Sequence, residues 1–324
     1  MKALLLTGGF GTRLRPLTFT RPKHLLPIGN RPHMERVFDL LAAHGVDDVV
    51  LTTSYLAEAF AATVAAARAR GVQLEVTHEP EPLGTAGAIK NAEAHLADAA
   101  FLVFNGDILT DADLGAMVAF HRDRDAEATI LLTPVPDPSA YGVVPTDANG
   151  RVTGFIEKPP RDEAPTNLIN AGVYLFEPSV LARVPPNEPW SAETQLFPGL
   201  VAEGAALYAL GSTAYWMDIG TPQKYLQANL DFLSGRYGGR EPRSVLADAD
   251  AVVDTGARVS SACLGRGARV EDGAVVTDSV LLPDARVGSG ATLVRSILGE
   301  GARVGKGAHV EGATVADGDE VTRA

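Results

Sequence analysis

Residues 267–290 read "GARVEDGAVVTDSVLLPDARVGSG" and contain the repeating unit that decides the fold of the C-terminal third. Aliphatic residues recur every 17 positions in three interleaved series, separated by steps of 6, 5 and 6. The series are Val253, Val270, Val287, Val304 and Val321; Val259, Val276, Leu293 and Val310; and Leu264, Leu281, Leu298 and Val315. Small residues or glycine precede most of these positions and fit tight corners. Each period is therefore predicted to form one three-sided coil of a parallel β-helix.

The first two thirds of the chain alternate between short apolar runs typical of strands and stretches with helical periodicity. The helical stretches include residues 34–44 and an alanine-rich segment over 57–70 that ends at Gly71. The strand candidates are 47–53, 72–79, 100–107, 127–135, 151–159 and 167–178. This alternation predicts an α/β domain with a Rossmann-like, mostly parallel sheet, in which ligands bind beyond the carboxyl ends of the strands.

A last helix and a glycine-rich stretch mark the boundary between the two parts. The helix is predicted over 221–234, with Thr221 as N-cap and Pro222 at its first position. The segments predicted are an α/β domain over 1–235, a linker over 236–245 and the β-helix over 246–324. No capping helix is expected after Val321, and unpaired coil edges favour pairing with another copy, so a homo-oligomer is predicted.

The stretch "GGFGTRLRP" (8–16) follows a short apolar strand and combines glycines with arginines. Glycines after a strand let backbone N–H groups approach a ligand closely, and arginines indicate that the ligand is an anion. The first 34 residues contain six cations and no carboxylate, although the chain carries a net charge of −12. The cations are Lys2, Arg13, Arg15, Arg21, Lys23 and Arg31. The pattern predicts a site for a polyphosphate.

Composition excludes several classes of partner and site. A net charge of −12 argues against binding to nucleic acid, which requires a basic surface. Cys263 is the single cysteine, so neither an intrachain disulfide nor a cysteine-rich zinc site can form. No apolar run approaches the roughly 18 residues that a membrane span requires, and no signal sequence is recognised, so we expect a cytoplasmic protein.

Eight short motifs occur in a fixed order between residues 8 and 222, and together they resemble the sugar-1-phosphate nucleotidyltransferases. They are "GGFGTRLRPLT", "RPKHLLPI", "EPLGTAGA", "NGD", "YGVV", "EKP", "NAG" and "WMDIGTP". The P-loop pattern GxxxxGK[ST] is absent, and "GFGTRL" lacks the last glycine of a dinucleotide fingerprint. The resemblance covers residues 1 to about 230, and the repeats of the C-terminal third resemble the left-handed β-helix family.

The resemblance implies a reaction in which a sugar 1-phosphate oxygen attacks the α-phosphorus of a nucleoside triphosphate and pyrophosphate leaves. Positioning and charge neutralisation are the main requirements, since both substrates are anionic. Gly8, Gly9, Gly11 and Thr12 are expected to hold the triphosphate through backbone N–H groups. Arg13 and Lys23 are expected to neutralise the charge that develops, and Gly84 and Thr85 in "EPLGTAGA" are assigned to the nucleotide site.

The same resemblance assigns a metal site and a sugar site. Asp107 in "NGD" and Asp218 in "WMDIGTP" are expected to hold Mg²⁺, which takes one or two carboxylates together with phosphate oxygens and water. The sugar site implied consists of Gly142, Glu157, Lys158 and Asn170. Glu157 would accept hydrogen bonds from sugar hydroxyls, and Lys158 would hold the sugar phosphate. The pattern does not identify the sugar, although mannose or glucose is expected first.

Glu79 in "HEPEPLGTAGA" carries the prediction of the nucleotide. Guanine presents N1–H and N2–H₂ as adjacent donors that one carboxylate can accept, whereas thymine and uracil present one N3–H between two carbonyl oxygens. A carboxylate therefore favours GTP, and this stretch looks most like that of mannose-1-phosphate guanylyltransferase-like members. Two alternatives stay open, namely base recognition by backbone groups near Gly84 and a thymidylyl- or uridylyltransferase acting on glucose 1-phosphate.

Two alternatives from other functional classes are also considered. A hexapeptide-repeat acyltransferase needs a histidine base and room for coenzyme A, but His309 is the single histidine of the β-helix and no loop interrupts the coils. A non-catalytic regulatory relative would be expected to lose its charged residues. The charged residues are all retained: Arg13, Lys23, Asp107, Glu157, Lys158 and Asp218.

Overall fold

The computed structural model describes residues 1–54, 56–79 and 81–322. These residues form two compact units, the first from Met1–Gly9 with Val37–Trp216 and the second from Phe10–Arg36 with Met217 onward. No helix in the described ranges is long and apolar enough to cross a membrane. The helices are α1 (His33–Ala43), α2 (Ala61–Ala69), α3 (Gly84–Asn91), α4 (Glu93–Leu96), α5 (Leu114–Asp123), α6 (Phe197–Ala202) and α7 (Pro222–Leu233).

The strands fall into a longer set before residue 220 and a regular set after residue 244. The earlier strands are β1 (Lys2–Leu6), β2 (Pro27–Ile28), β3 (Arg31–Pro32), β4 (Asp48–Thr53), β5 (Gln73–His78), β6 (Phe101–Asn105), β7 (Ile108–Thr110), β8 (Ala128–Pro134), β9 (Gly142–Val143), β10 (Ile156–Glu157), β11 (Leu168–Phe176), β12 (Leu207–Gly211) and β13 (Trp216–Asp218). The later strands are β14 (Val245–Ala247), β15 (Val252–Val253), β16 (Arg258–Leu264), β17 (Arg269–Val270), β18 (Val275–Leu281), β19 (Arg286–Val287), β20 (Thr292–Val294), β21 (Ile297–Leu298), β22 (Arg303–Val304), β23 (His309–Glu311), β24 (Thr314–Val315) and β25 (Glu320–Val321).

The first unit is built on a sheet with the order β10-β9-β11-β6-β1-β4-β5, to which β8 and β12 are added beside β11. Strands β6, β1, β4 and β5 run parallel, as do β8 and β12. This confirms the predicted α/β class with a largely parallel sheet. The sheet is nevertheless mixed, because β11 runs antiparallel to both β6 and β8. The apolar runs lie in its core, where Leu4, Val103, Ile130 and Tyr174 are completely buried.

Two of the strand predictions need correction in extent. The segment 151–159 forms a strand at Ile156–Glu157 and isolated bridges at Arg151 and Val152. Pro159 and Pro160, which follow Lys158, cannot donate to a ladder and limit the strand on that side. The strand predicted over 100–107 ends at Asn105, so Asp107 lies in the tight turn between β6 and β7. Strand β11 is close to its predicted extent, but its register against β8 shifts between Asn170 and Tyr174.

The second unit contains the parallel β-helix, with the register that the 17-residue repeat predicts. Val253, Val270, Val287, Val304 and Val321 are consecutive partners in neighbouring coils. The other two series pair in the same way along β16, β18 and the strands that follow. In the middle coils these side chains are buried. The predicted β-helix is therefore confirmed down to its register.

The segment 10–36 packs against C-terminal elements within the second unit. Helix α7 has the predicted cap, since the Thr221 side chain accepts a hydrogen bond from the Lys224 amide. Buried Asn229 on this helix accepts from the Gly29 amide at 2.9 Å, and Tyr225 donates to the Pro27 carbonyl at 2.8 Å. Asn30 donates to the Leu264 carbonyl of the β-helix at 2.8 Å. Residues far apart in sequence thus hold this N-terminal segment in place.

Candidate functional site

A cavity of about 230 Å³ opens at the carboxyl ends of the parallel strands in the first unit. It brings together five residues predicted for the nucleotide, namely Gly8, Gly9, Glu79, Gly84 and Thr85. Its remaining lining is Leu6, Thr52, Ser54, Pro82 and Ala88. The location is the one expected for a ligand in an open α/β sheet.

Gly8 and Gly9 follow strand β1 at the cavity wall, and the backbone of Gly9 has a geometry that favours glycine. Gly9 has φ of +103°, which favours glycine strongly. A Cβ added at Gly8 would lie 3.4 Å from Ser54 Oγ and 3.5 Å from Glu79 Oε1. The backbone at Gly8 therefore runs directly beside the Glu79 carboxylate.

Glu79 is a carboxylate held in the wall of this cavity. Glu79 directly follows strand β5, and the residue is only 4% exposed. Oε2 accepts a hydrogen bond from the Leu83 amide at 3.2 Å, whereas Oε1 is buried with no hydrogen-bond partner among the described residues. Burial raises the pKa of Glu79, although the Leu83 amide and the Thr52 hydroxyl oppose this shift. A buried acceptor beside a cavity is suited to a ligand that supplies N–H donors.

Gly84 and Thr85 begin helix α3 at the cavity wall. Gly84 has φ of +70°, and a Cβ there would lie 2.9 Å from the Trp190 carbonyl oxygen. The Thr85 hydroxyl donates to Glu193 Oε2 at 2.8 Å and accepts from the Ala192 amide at 2.7 Å. The Thr85 hydroxyl thus links helix α3 to the π-helical turn Ala192–Leu196 by hydrogen bonds, and Thr85 also lines the cavity.

The residues predicted for the sugar lie on β9, β10 and β11 of the same unit. Gly142 is paired with Glu157, and a Cβ at Gly142 would lie 2.6 Å from the Phe155 ring and 3.0 Å from Glu157 Oε2. Glu157 forms an ion pair with its neighbour Lys158, whose side chain is 63% exposed and whose φ is +48°. A carboxylate beside an exposed ammonium can accept hydrogen bonds from hydroxyls while the cation binds a phosphate.

Asn170 lies at the bulge in β11 and belongs to a polar network that sequence analysis missed in part. Its amide donates to the Tyr174 hydroxyl at 2.8 Å, and its carbonyl oxygen accepts from the Gly172 amide at 2.9 Å. Burial and the Glu193 carboxylate raise the pKa of Tyr174 well above its usual value. Asn105 also hydrogen-bonds Tyr174, and its Oδ1 is buried with no partner in the described chain.

Asn105, Tyr174 and Glu193 were not assigned to the site from sequence. Asn105 directly precedes "GD" at the end of an apolar strand, which is a signal that could have been used. Tyr174 packs against Phe176 and Phe197, as expected of an aromatic residue in an apolar strand, so the sequence does not mark it as a site residue. Glu193 lies in "SAETQ", a stretch without a recognisable pattern, so only its contact with Thr85 reveals it.

The remaining residues predicted for the triphosphate lie in the second unit. Gly11 has φ of +59° and precedes a 3₁₀ turn, Thr12–Leu14, in which Thr12 and Arg13 are exposed. The Gly11 carbonyl accepts a hydrogen bond from Thr18 at 2.8 Å. A Cβ at Gly11 would lie 3.4 Å from Lys23 Cβ, so the structure brings Gly11 and Lys23 together.

Arg13 and Asp218 both border Gly220 in the second unit. A Cβ at Gly220 would lie 3.3 Å from Arg13 Nη2 and 3.4 Å from Asp218 Oδ2. Asp218 is largely buried, and its Oδ1 forms an ion pair with Lys224 of helix α7. Lys224 is a further cation at this point that sequence analysis did not single out.

Two carboxylates, Asp107 and Asp218, are the residues predicted to bind the metal. Asp107 is half-buried in the turn after β6, and Asp218 is held at the end of β13. Among the described residues, no three or more His, Cys, Asp or Glu side chains lie close enough together to hold a metal ion. Single carboxylates still fit a hard cation such as Mg²⁺, which draws its other ligands from phosphate and water.

Comparison with known proteins identifies the class to which this fold and site belong. Residues 2–235 match the family model described as nucleotidyl transferase, and residues 242–323 match the model described as GMPPB C-terminal domain. The chain therefore belongs to the nucleotidyl transferase family. Enzymes of this family generally use a divalent metal ion.

The named relatives specify the branch. The chain is 39% identical to a mannose-1-phosphate guanylyltransferase of Mycobacterium tuberculosis, over 82% of this chain and 75% of that one. It is 41% identical to a probable mannose-1-phosphate guanylyltransferase 2 of Arabidopsis thaliana, over 82% and 74%. A crystal structure of HddC from Yersinia pseudotuberculosis complexed with GMP-PN matches with a TM-score of 0.62 and 29% identity, covering 71% of this chain and 99% of that one. The resemblance drawn from the eight motifs is thereby confirmed.

Proposed function

We propose that this protein transfers GMP from GTP to a sugar 1-phosphate and releases pyrophosphate, with mannose 1-phosphate as the first candidate. The named relatives at about 40% identity support this reaction and this sugar. A phosphate oxygen of the sugar 1-phosphate forms the new bond to the α-phosphorus of GTP. The bond from that phosphorus to the bridging oxygen breaks, and the electron pair leaves with pyrophosphate.

The observation that carries the choice of GTP is Glu79, which lines the cavity and whose Oε1 is buried without a hydrogen-bond partner among the described residues. The adjacent N1–H and N2–H₂ groups of guanine would supply the missing donors. Thymine and uracil would place a carbonyl oxygen on each side of a single N–H, so the carboxylate would repel them. Gly8 leaves the space beside Glu79 unfilled, since a Cβ there would lie 3.5 Å from Oε1 of that carboxylate.

The remaining residues are proposed to hold the reacting groups. Backbone N–H groups at Gly8, Gly9 and Gly11 bind the triphosphate, and Arg13 and Lys23 neutralise its charge. Glu157 accepts sugar hydroxyls, and Lys158 binds the sugar phosphate. These groups act by positioning, so no side chain needs to form a covalent intermediate.

A divalent cation is proposed to be Mg²⁺, with Asp107 and Asp218 as its protein ligands. When bound, Mg²⁺ would supply charge neutralisation to the phosphate oxygens around the reacting phosphorus. Lys224, which forms an ion pair with Asp218 Oδ1, would hold this carboxylate in position. We also propose that the chain divides into an α/β domain over 1–235, a linker over 236–245 and a β-helix over 246–324. The β-helix is proposed to form a homo-oligomer.

The experiment is a comparison of kcat/KM for GTP, dTTP, UTP and ATP, with mannose and glucose 1-phosphates as acceptors. Glu79→Gln keeps the size of the side chain and a carbonyl for the Leu83 amide, but it presents donors to the cavity. A hydrogen bond to a charged group contributes about 1.5–3 kcal/mol, so the preference for GTP should fall by about 10- to 100-fold. Exposed Glu81→Gln, two residues away and outside the cavity lining, is the matched control. A wild-type preference for dTTP or UTP would refute the proposed nucleotide.

A further inference from the structure

A second cavity, of about 440 Å³, lies within the second unit, where the N-terminal segment, helix α7 and the stretch after it meet. Four arginines line it, namely Arg31, Arg36, Arg240 and Arg243, together with Phe232 and the single carboxylate Glu241. The chain as a whole carries a net charge of −12. None of the residues proposed above for nucleotide, sugar or metal is part of this lining.

Arg36 provides a fixed positive charge in this cavity. The residue is only 4% exposed, and its Nε and Nη2 donate to the carbonyls of Ile28 and Gly29 at 2.9–3.2 Å. Its guanidinium lies 4.5 Å from the centre of the Phe232 ring, and that of Arg240 lies 5.3 Å from the same ring. The aromatic ring thus orients two cations that would otherwise repel each other.

The positive charge of Arg240 and Arg243 is not neutralised by carboxylates in the described chain. Arg31 is paired with Glu35 at 2.9 Å, whereas neither Arg240 nor Arg243 takes part in an ion pair among the described residues. Arg236, in the same stretch, is paired with Asp231 at 3.0 Å and does not line the cavity. Arg31 and Arg236 therefore have counter-charges, whereas Arg240 and Arg243 have none among the described residues and indicate a ligand that would supply them.

We propose that this cavity binds a compact anion with two or more phosphate charges. Guanidinium groups bind phosphate oxygens through paired N–H donors, and several of them suit a diphosphate better than a single charge. Arg36 and Arg240 already lie against Phe232, so the site recognises phosphates and not a stacked base. Free pyrophosphate and the diphosphate of a nucleotide share this chemistry.

The inference goes beyond the proposed function, since it adds a second anion site to the chain. The cavity lining includes Gly29, Arg31 and Arg36, which belong to the same segment as Arg13 and Lys23. An anion bound there would stabilise the segment that is proposed to hold the triphosphate. It could therefore act as an effector of the reaction through elements of one unit.

The test is calorimetric titration of the full-length protein with pyrophosphate, GDP and inorganic phosphate. Wild type should bind pyrophosphate at two sites per chain. In the double variant Arg240→Gln/Arg243→Gln, the dissociation constant of pyrophosphate at one of these two sites should rise at least tenfold. Both arginines are exposed, so folding should be retained, and thermal unfolding checks this. Arg236→Gln is the matched control and should behave as wild type.

Lys23→Ala separates this inference from the proposed function. It should weaken the other pyrophosphate site and leave the arginine cavity occupied. If the double variant keeps both sites, or if wild type has a single site that only Lys23→Ala removes, the second site does not exist. If the double variant loses a site while Lys23→Ala changes nothing, the arginine site stands and the proposed triphosphate site is wrong. Whichever of pyrophosphate and GDP depends on Arg240 and Arg243 identifies the source of the phosphates.

Discussion

The replacement of Arg21 by alanine tests whether the β-helix positions the proposed phosphate-binding segment. Arg21 lies two residues before Lys23, and its Nη2 contacts Glu300 at 2.7 Å and Asp317 at 2.9 Å. Thr20 donates to the same Asp317 carboxylate. Asp317 also accepts from the Glu300 amide at 2.7 Å, so it is fixed by its own coil. The last coils of the β-helix therefore hold the segment that leads to Lys23.

The size of the effect follows from the exposure of the three side chains. Arg21 and Asp317 are 18% and 17% exposed, whereas Glu300 is 46% exposed. A hydrogen bond to a charged group in a largely buried setting contributes about 1.5–3 kcal/mol, and an exposed pair about 0.2–1 kcal/mol. The two contacts together should contribute about 2 kcal/mol, or about 30-fold in an equilibrium constant. We expect kcat/KM for GTP to fall by about 10- to 30-fold in Arg21→Ala.

The assay is pyrophosphate release as a function of GTP and sugar 1-phosphate, together with thermal unfolding. Arg21→Lys should recover part of the loss. Arg295→Ala removes another arginine–glutamate pair of the β-helix, with Glu311, and is the control for a merely structural effect. A double-mutant cycle with Asp317→Asn should give a coupling energy well above about 0.5 kcal/mol. Kinetics of Arg21→Ala equal to those of Arg295→Ala would refute the reasoning.

Three further predictions concern the metal, the buried carboxylate and the oligomer. Asp107→Asn and Asp218→Asn should each lower turnover by at least about a hundredfold with the fold intact, and near-wild-type rates at saturating Mg²⁺ would make that aspartate structural. Burial raises the pKa of Glu79, so its charged form lowers the stability of the folded protein above the ordinary pKa. Glu79→Gln should therefore unfold at a higher temperature than wild type at about pH 7.5. This difference should shrink as the pH falls through the raised pKa towards about 4.5. An unchanged difference between the two pH values would show that desolvation of Glu79 is not the cause. Val252 and Val253 are 38% and 43% exposed at the first coil, so light scattering at micromolar concentration should give a homo-oligomer, and a monomer would exclude it.

The β-helix was predictable to the level of register because its determinants are local and repeated. Each coil repeats the same spacing of aliphatic residues, and a shift of one residue would move Val287 or Leu281 from the buried interior to solvent. The same locality explains helix α7, whose cap and first-position proline can be recognised in four residues. In contrast, the antiparallel direction of β11 depends on contacts with β6 and β8, which no local pattern encodes.

The candidate site was predictable only where a residue belongs to a motif. Glu79 was found because "EPLGTAG" follows a strand, and the structure adds that its Oε1 is buried beside Gly8. Glu193 reaches Thr85 and Tyr174 from a segment more than 100 residues away along the chain from Thr85. Lys224, in the first turn of α7, contacts Asp218 at the end of β13, but the sequence does not indicate that the two side chains meet.

The glycine-rich stretch that begins at Gly8 is divided between the two units, and this division makes the prediction for Arg21 specific to one substrate. Gly8 and Gly9 belong to the first unit, whereas Gly11, Arg13 and Lys23 belong to the second. The residues proposed for the sugar all lie in the first unit, on strands that Arg21 does not belong to. Loosening the contact with Asp317 should therefore raise the KM for GTP or lower kcat, while the KM for the sugar 1-phosphate stays within about twofold of wild type. An equal rise in both KM values would indicate a general loss of structure, and Arg21 would then have no positioning role.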